Sequence, residues 1–153
     1  MLFLCYHNAG PSILAESILR HEARARFRAF SAGREPMEIN PLAMDFLRSA
    51  TLPVDGLRSK GWEEFTQADS PKMHFVITVC DRMPEIYLPS WPGNPVQAHW
   101  SVAEKLESTR SSDDIRDAFW ILMRRIKIFT HLPLGKTKRE AIAERLNEIG
   151  VWG

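Results

Sequence analysis

Cys5 closes a short apolar run at residues 1–6. The turn residues Asn8-Ala9-Gly10-Pro11 follow, and Ser12 then opens a helical pattern. A strand, a tight turn and a helix in that order aim backbone N–H groups at one point and favour an anion there. The same field lowers the pKa of a thiol and makes it a nucleophile. On spacing alone, Cys5 equally fits a small buried hydrophobe at a strand end. His7 has two readings, an imidazolium paired with a Cys5 thiolate or a solvent-facing loop histidine. Cys80, the only other cysteine, ends the run His74 to Cys80 and also fits a core position.

The elements that position these residues follow from periodicity. Residues 1–6 do not alternate and read as a buried strand. Ile13, Leu14, Ser17 and Ile18 fall at helical spacing, with Glu16 read as a first-turn carboxylate and the basic stretch Arg20 to Arg28 as the close of that helix. Phe27 to Ala32 is a second strand stopped by Gly33. Asn40 caps a second helix that starts at Pro41 and runs to Ala50. Residues 51–73 connect, with one helical turn near Trp62 to Phe65. His74 to Cys80 is a β-branched strand, residues 82–95 form a proline-broken loop, and Val96 to Trp100 is a fourth strand. Ser112-Asp113-Asp114 caps the longest helix, about residues 113–131. The last helix runs from Lys136 to Ile149, with Ile142, Leu146 and Ile149 on one face and Gly150 as its stop. Alternation of this kind predicts a parallel sheet with helices on both faces.

The totals narrow the function classes. A chain of 153 residues with 44% hydrophobic and 25% charged residues fits one compact soluble domain, residues 1–153, with 136–153 as a helical extension packed on it. A net charge of +1 does not point to nucleic acid or to an anionic membrane. The clusters Arg124-Arg125 and Lys136 to Arg139 read as solvated faces. Two cysteines 75 positions apart form neither a disulfide framework nor a paired-cysteine zinc site, so no metal is expected and the chain reads as cytoplasmic. Leu2-Phe3-Leu4 lacks the flanks of a signal peptide.

Several blocks occur together and in order: Cys5-x-x-Asn8-x-x-x-Ser12-x-x-Ala15-Glu16, Phe30-Ser31-Ala32-Gly33, Asn40-Pro41-Leu42-Ala43, Gly56-Leu57-Arg58-Ser59-Lys60, Val76 to Asp81, Trp91-Pro92-Gly93 and His99-Trp100. On these blocks the chain resembles the arsenate reductase and low-molecular-weight tyrosine phosphatase family, and the last two fit its arsenate reductase branch. The resemblance implies a flavodoxin-like three-layer α/β sandwich with a four-stranded parallel sheet in the order 2-1-3-4. It implies Cys5 as nucleophile, with His7, Asn8, Ala9, Gly10 and Ser12 forming the oxyanion-binding loop. Asn8 would hold the loop's backbone and the Ser12 hydroxyl would support the thiolate. Cys80 matches the second cysteine of the thioredoxin-linked relay, while Leu88 stands where the third would be. Glu104 falls where the phosphatases carry their general acid, without the proline that follows it there. Trp91 and Trp100 are expected in the wall above the loop.

One position departs from the pattern. The family loop reads cysteine, five residues, arginine, then serine or threonine, and here Pro11 stands in the arginine's place. A guanidinium grips a tetrahedral oxyanion through two charge-assisted hydrogen bonds. Losing both costs ~3–6 kcal/mol of anion or transition-state stabilisation, equivalent to roughly 10²–10⁴ in rate. Proline also removes one N–H from the loop, although it suits the first turn of a helix. The expectations are therefore threefold. One is thiol-based oxyanion chemistry through Cys5 in an impaired or inactive form. The others are a non-catalytic binding or regulatory module on the same fold and a Cys5–Cys80 redox switch. The expected partners are a small oxyanion (phosphate, sulfate or arsenate) and a thiol reductant, with no cofactor, in a monomer or weak homodimer. Arg34 and Arg58 are the alternative sources of positive charge, and Pro11→Arg is expected to restore anion binding if the loop's backbone is otherwise intact.

Overall fold

Leu2, Phe3, Leu4 and Cys5 have no exposed surface, because the strand they form is flanked on both sides. In the computed structural model, which describes residues 1–83 and 87–151 apart from the side chain of Glu104, β1 (Leu2–Cys5) pairs with β2 (Phe30–Gly33) and with β3 (Phe75–Thr78). β3 pairs in turn with β4 (Val96–His99), giving a four-stranded sheet in the order β2-β1-β3-β4. Every pairing is parallel. The interior strands β1 and β3 are buried throughout, so they read as unbroken apolar runs, whereas the edge strand β4 alternates between covered and open positions.

The helices are α1 (Pro11–Ala23), α2 (Pro41–Ser49), α3 (Ser112–Thr130) and α4 (Arg139–Ile149), with short 3₁₀ turns at Trp62–Phe65, Glu104–Glu107 and Leu134–Lys136. α1, α2 and α3 pack on one another, and α4 lies against β4. With helices packed around a parallel sheet of this order, the fold is flavodoxin-like α/β. Asn40 caps α2 as expected, its Oδ1 accepting the Leu42 N–H at 3.0 Å. Ser111, one residue earlier than expected, caps α3 by accepting the Asp114 N–H. Among the described residues no helix is long and apolar enough to cross a membrane.

Several local expectations are corrected. α1 ends at Ala23, where the Arg26 and Phe27 amides turn back onto the Ala23 carbonyl, so the basic stretch lies mostly outside the helix. Glu16 is not in the first turn of α1; it is buried beneath the sheet's end. Trp100 does not stand over the loop. It is fully buried, tilted against Phe3, with its indole N–H donated to the Leu146 carbonyl at 2.9 Å. Arg125 is no solvated cation, being 3% exposed with Nη1 donating to the Ser101 carbonyl. Gly150 has φ −65°, so it ends α4 without left-handed geometry. Glycine is needed there for space, since a Cβ would lie 2.3 Å from the His99 carbonyl oxygen and 2.7 Å from a Trp100 ring carbon.

Candidate active site

The loop from Cys5 to Ser12 joins the carboxyl end of β1 to the amino end of α1, and its carbonyl groups are tied outward. Tyr6 O accepts from Glu35 N–H, His7 O from Met37 N–H and the Ser59 hydroxyl, and Ala9 O from Asn40 N–H. With those carbonyls engaged by neighbouring segments, the His7 and Ala9 N–H groups are turned to the inner side of the loop. Asn8 makes the turn possible: its φ is +49°, the left-handed region that asparagine tolerates better than most residues. Its side chain locks that conformation, with Oδ1 accepting the Lys60 N–H at 3.0 Å and Nδ2 donating to Ser12 Oγ at 2.8 Å. Gly33, at the end of β2, lies so close under the loop that a Cβ would come within 2.7 Å of the Asn8 nitrogen.

A carboxylate occupies the inner side of this loop. Glu107 is 5% exposed. Its Oε2 accepts the His7 N–H at 2.8 Å, and its Oε1 accepts the Ala9 N–H at 3.2 Å and the Cys5 thiol at 2.7 Å. The protons form one directed chain. Asn8 donates to Ser12 Oγ, the Ser12 hydroxyl lies 2.7 Å from Cys5 Sγ and is free to donate to it, and the thiol donates to Glu107. Burial pushes the Cys5 thiol well above its ordinary value of 9.0, and the Glu107 charge and hydrogen bond push it further in the same direction. A thiol so placed is neutral near pH 7 and is a poor nucleophile.

Pro11 is the first residue of α1. The turn that carries Glu107 rests on the residue before it, because a Cβ on Gly10 would lie 2.4 Å from the Leu106 carbonyl oxygen. Outside the loop, a cavity of about 800 Å³ is bordered by His7, Ala9, Asn40, Lys105, Glu107 and Arg110 among others. Among the described residues no group of His, Cys, Asp and Glu side chains is arranged to hold a metal ion.

The structure brings Cys5, Asn8, Ala9, Gly10 and Ser12 together in the turn between β1 and α1. His7 contributes its backbone N–H; its imidazole is paired with the Glu35 carbonyl at 2.8 Å and set edge-on to Tyr6, not with Cys5. The Arg58 guanidinium is held by a two-fold contact with Glu64. The Glu104 side chain lies outside the described residues. Cys80 is buried, and neither it nor Cys5 is part of a disulfide. Glu107 escaped the sequence reading. The available signal was its place one 3₁₀ turn after Glu104, since positions three apart in such a turn share a face.

The same fold occurs in solved structures. An arsenate reductase from Archaeoglobus fulgidus superposes with a TM-score of 0.70 over 86% of this chain and 98% of its own, at 22% identity. A thioredoxin-dependent arsenate reductase from Corynebacterium glutamicum is 25% identical over 88% of this chain and 62% of its own, with a TM-score of 0.64. A tyrosine phosphatase from Erwinia amylovora reaches 0.62 at 17% identity, over 82% of this chain and 87% of its own. No curated protein matches the sequence significantly. The model of the low molecular weight phosphotyrosine protein phosphatases matches residues 1–107, from the first strand to the glutamate on the loop, and the chain therefore belongs to that family.

Proposed function

We propose that this chain is a family member in which thiol-based oxyanion chemistry is arrested, and that it works as a non-catalytic binding or regulatory protein on the phosphatase and arsenate reductase scaffold. The observation that carries this reading is the hydrogen bond from Cys5 Sγ to Glu107 Oε1, made by a thiol with no exposed surface. Attack on phosphorus or arsenic requires a thiolate with an anion seated before it. Here the proton stays on sulfur and the position of the anion is taken by a carboxylate.

Pro11 supports the same reading, because proline offers neither a guanidinium nor an N–H to a developing negative charge. The thioredoxin dependence of the Corynebacterium protein does not transfer readily. Leu88 has no thiol with which to complete a relay from Cys80, so a disulfide made between Cys5 and Cys80 would wait for an outside reductant.

The test is steady-state turnover of p-nitrophenyl phosphate and of arsenate with a thiol donor. The expected outcome is no rate above a Cys5→Ser control. Turnover comparable with that of an intact family enzyme would overturn the reading.

A further inference from the structure

We infer that Glu107 is a tethered anion: its carboxylate stands in the place of a free tetrahedral oxyanion, and the loop admits phosphate or a similar small oxyanion only when the Glu104–Glu107 turn is displaced. This inference rests on the reading of an arrested thiol site and adds how the arrest is made.

Three observations carry it. The first is the coordination of the carboxylate. Both oxygens are used, by two backbone amides and one thiol, and those amides come from the inward side of a strand-to-helix turn. Among the described residues no lysine or arginine forms an ion pair with Glu107, and its direct hydrogen bonds come from backbone amides and a thiol.

The second is that the contact is built by the fold. Glu107 is about a hundred residues from the loop in sequence, 102 from Cys5 and 98 from Ala9. It reaches them on a turn whose Leu106 is buried and whose backbone rests on Gly10. Any side chain at position 10 would push that turn away. The third is the approach from solvent. The cavity beside Glu107 is large compared with a phosphate ion, and Lys105 and Arg110 border it together with Glu38, so cations stand at the approach although the lining is mixed in charge. Loop, entrance and donors are thus all present, and the chain's own carboxylate fills the seat.

The experiment is calorimetric titration of inorganic phosphate into the full chain, into Glu107→Ala and into Glu107→Gln, each first checked for a cooperative thermal melt. The expected result is negligible binding by wild type and a gain of at least about tenfold in phosphate affinity for Glu107→Ala. Glu107→Gln keeps the shape and removes the charge, and it carries the test should the alanine variant fail to fold, with a smaller gain in the same direction. Iodoacetamide labelling of Cys5, read by peptide mass against Cys80, is expected to accelerate in both variants. Folded variants that bind phosphate no better than wild type would overturn the tether, as would wild-type protein that already binds phosphate as tightly as Glu107→Ala. Turnover by wild type would instead remove the arrested-site reading, so the two failures are told apart by which protein gives the unexpected signal.

Discussion

Two buried glutamates stand near the same loop and are neutralised in opposite ways. Glu16 is 3% exposed and sits among cations: Arg20 pairs with its Oε2 at 2.5 Å, Lys60 Nζ lies 3.8 Å from its Oε1, and the Ser31 hydroxyl donates to that same oxygen. Glu107 is about as buried, but its partners are two amides and a thiol. A carboxylate set among side-chain cations is part of the framework, because removing it strands a buried charge. A carboxylate set among backbone dipoles leaves nothing charged behind. The loop that holds it keeps its shape through Asn8, Gly33 and the outward-tied carbonyls.

The largest expected effect comes from breaking the first of these sites. Glu16→Ala leaves the buried Lys60 without its counter-charge and is expected to cost about 3–5 kcal/mol of stability, measured by urea unfolding. Glu107→Ala is expected to cost only about 1–2 kcal/mol in the same assay, the scale of unmet hydrogen bonds. Equal losses at the two positions would erase the distinction between framework and occupant.

Restoring the family's arginine sharpens the comparison. With Glu107 in place, the guanidinium of Pro11→Arg meets a carboxylate already seated in the loop. Phosphate binding is therefore expected to stay near the wild-type level. In Pro11→Arg combined with Glu107→Ala the guanidinium is free, and phosphate should bind at least about 1.5–3 kcal/mol more tightly than to Glu107→Ala alone, the scale of one of its two charge-assisted hydrogen bonds. Calorimetry of the two single variants and the double variant decides the matter. A Pro11→Arg protein that binds phosphate as tightly as the double variant would show that Glu107 yields without mutation.

Gly10→Ala acts on the same contact from beneath. Its Cβ would fall 2.4 Å from the Leu106 carbonyl oxygen, so the turn has to shift, at an expected cost of about 1–3 kcal/mol for overpacking. Phosphate binding should appear alongside that loss of stability. A Gly10→Ala protein with lowered stability and no phosphate binding would mean that the turn moves without releasing the carboxylate.

The smallest effect is in the titration of Cys5. Burial and the Glu107 charge both raise the folded thiol above 9.0. Alkylation of Cys5 in wild type should stay slow up to that pH and rise only beyond it, while in Glu107→Gln the rise begins at lower pH because the charge is gone. Since the folded thiol holds its proton to higher pH than the unfolded one, its contribution to stability is complete below pH 9.0 and is lost as pH rises further. Stopped-flow alkylation and pH-dependent melts report the two consequences. Coincident alkylation profiles for wild type and Glu107→Gln would remove Glu107 from the account of the raised thiol.

What the sequence by itself determined is whatever depends on neighbours along the chain. Unbroken apolar runs predicted the interior strands and Asn40 before Pro41 predicted the cap of α2, while the strand order 2-1-3-4 came from the family resemblance. Cys5, Asn8 and Ser12 were legible for the same reason, since one turn between a strand and a helix holds all three. Tertiary structure decided which atoms face inward and which distant residue meets them. The type of His7 drew attention to its imidazole, yet the group on the carboxylate is its amide, turned inward because the residue's carbonyl is held by Met37 and Ser59. The family pattern points to Glu104, while the chain approaches Cys5 one 3₁₀ turn later at Glu107, against a glycine that leaves room for its backbone. That choice depends on a contact between residues 102 positions apart, and local propensity holds no information about such a contact. It is settled only when β4 and the segment after it are packed beside β3 and the carbonyl of Leu106 comes to rest on Gly10.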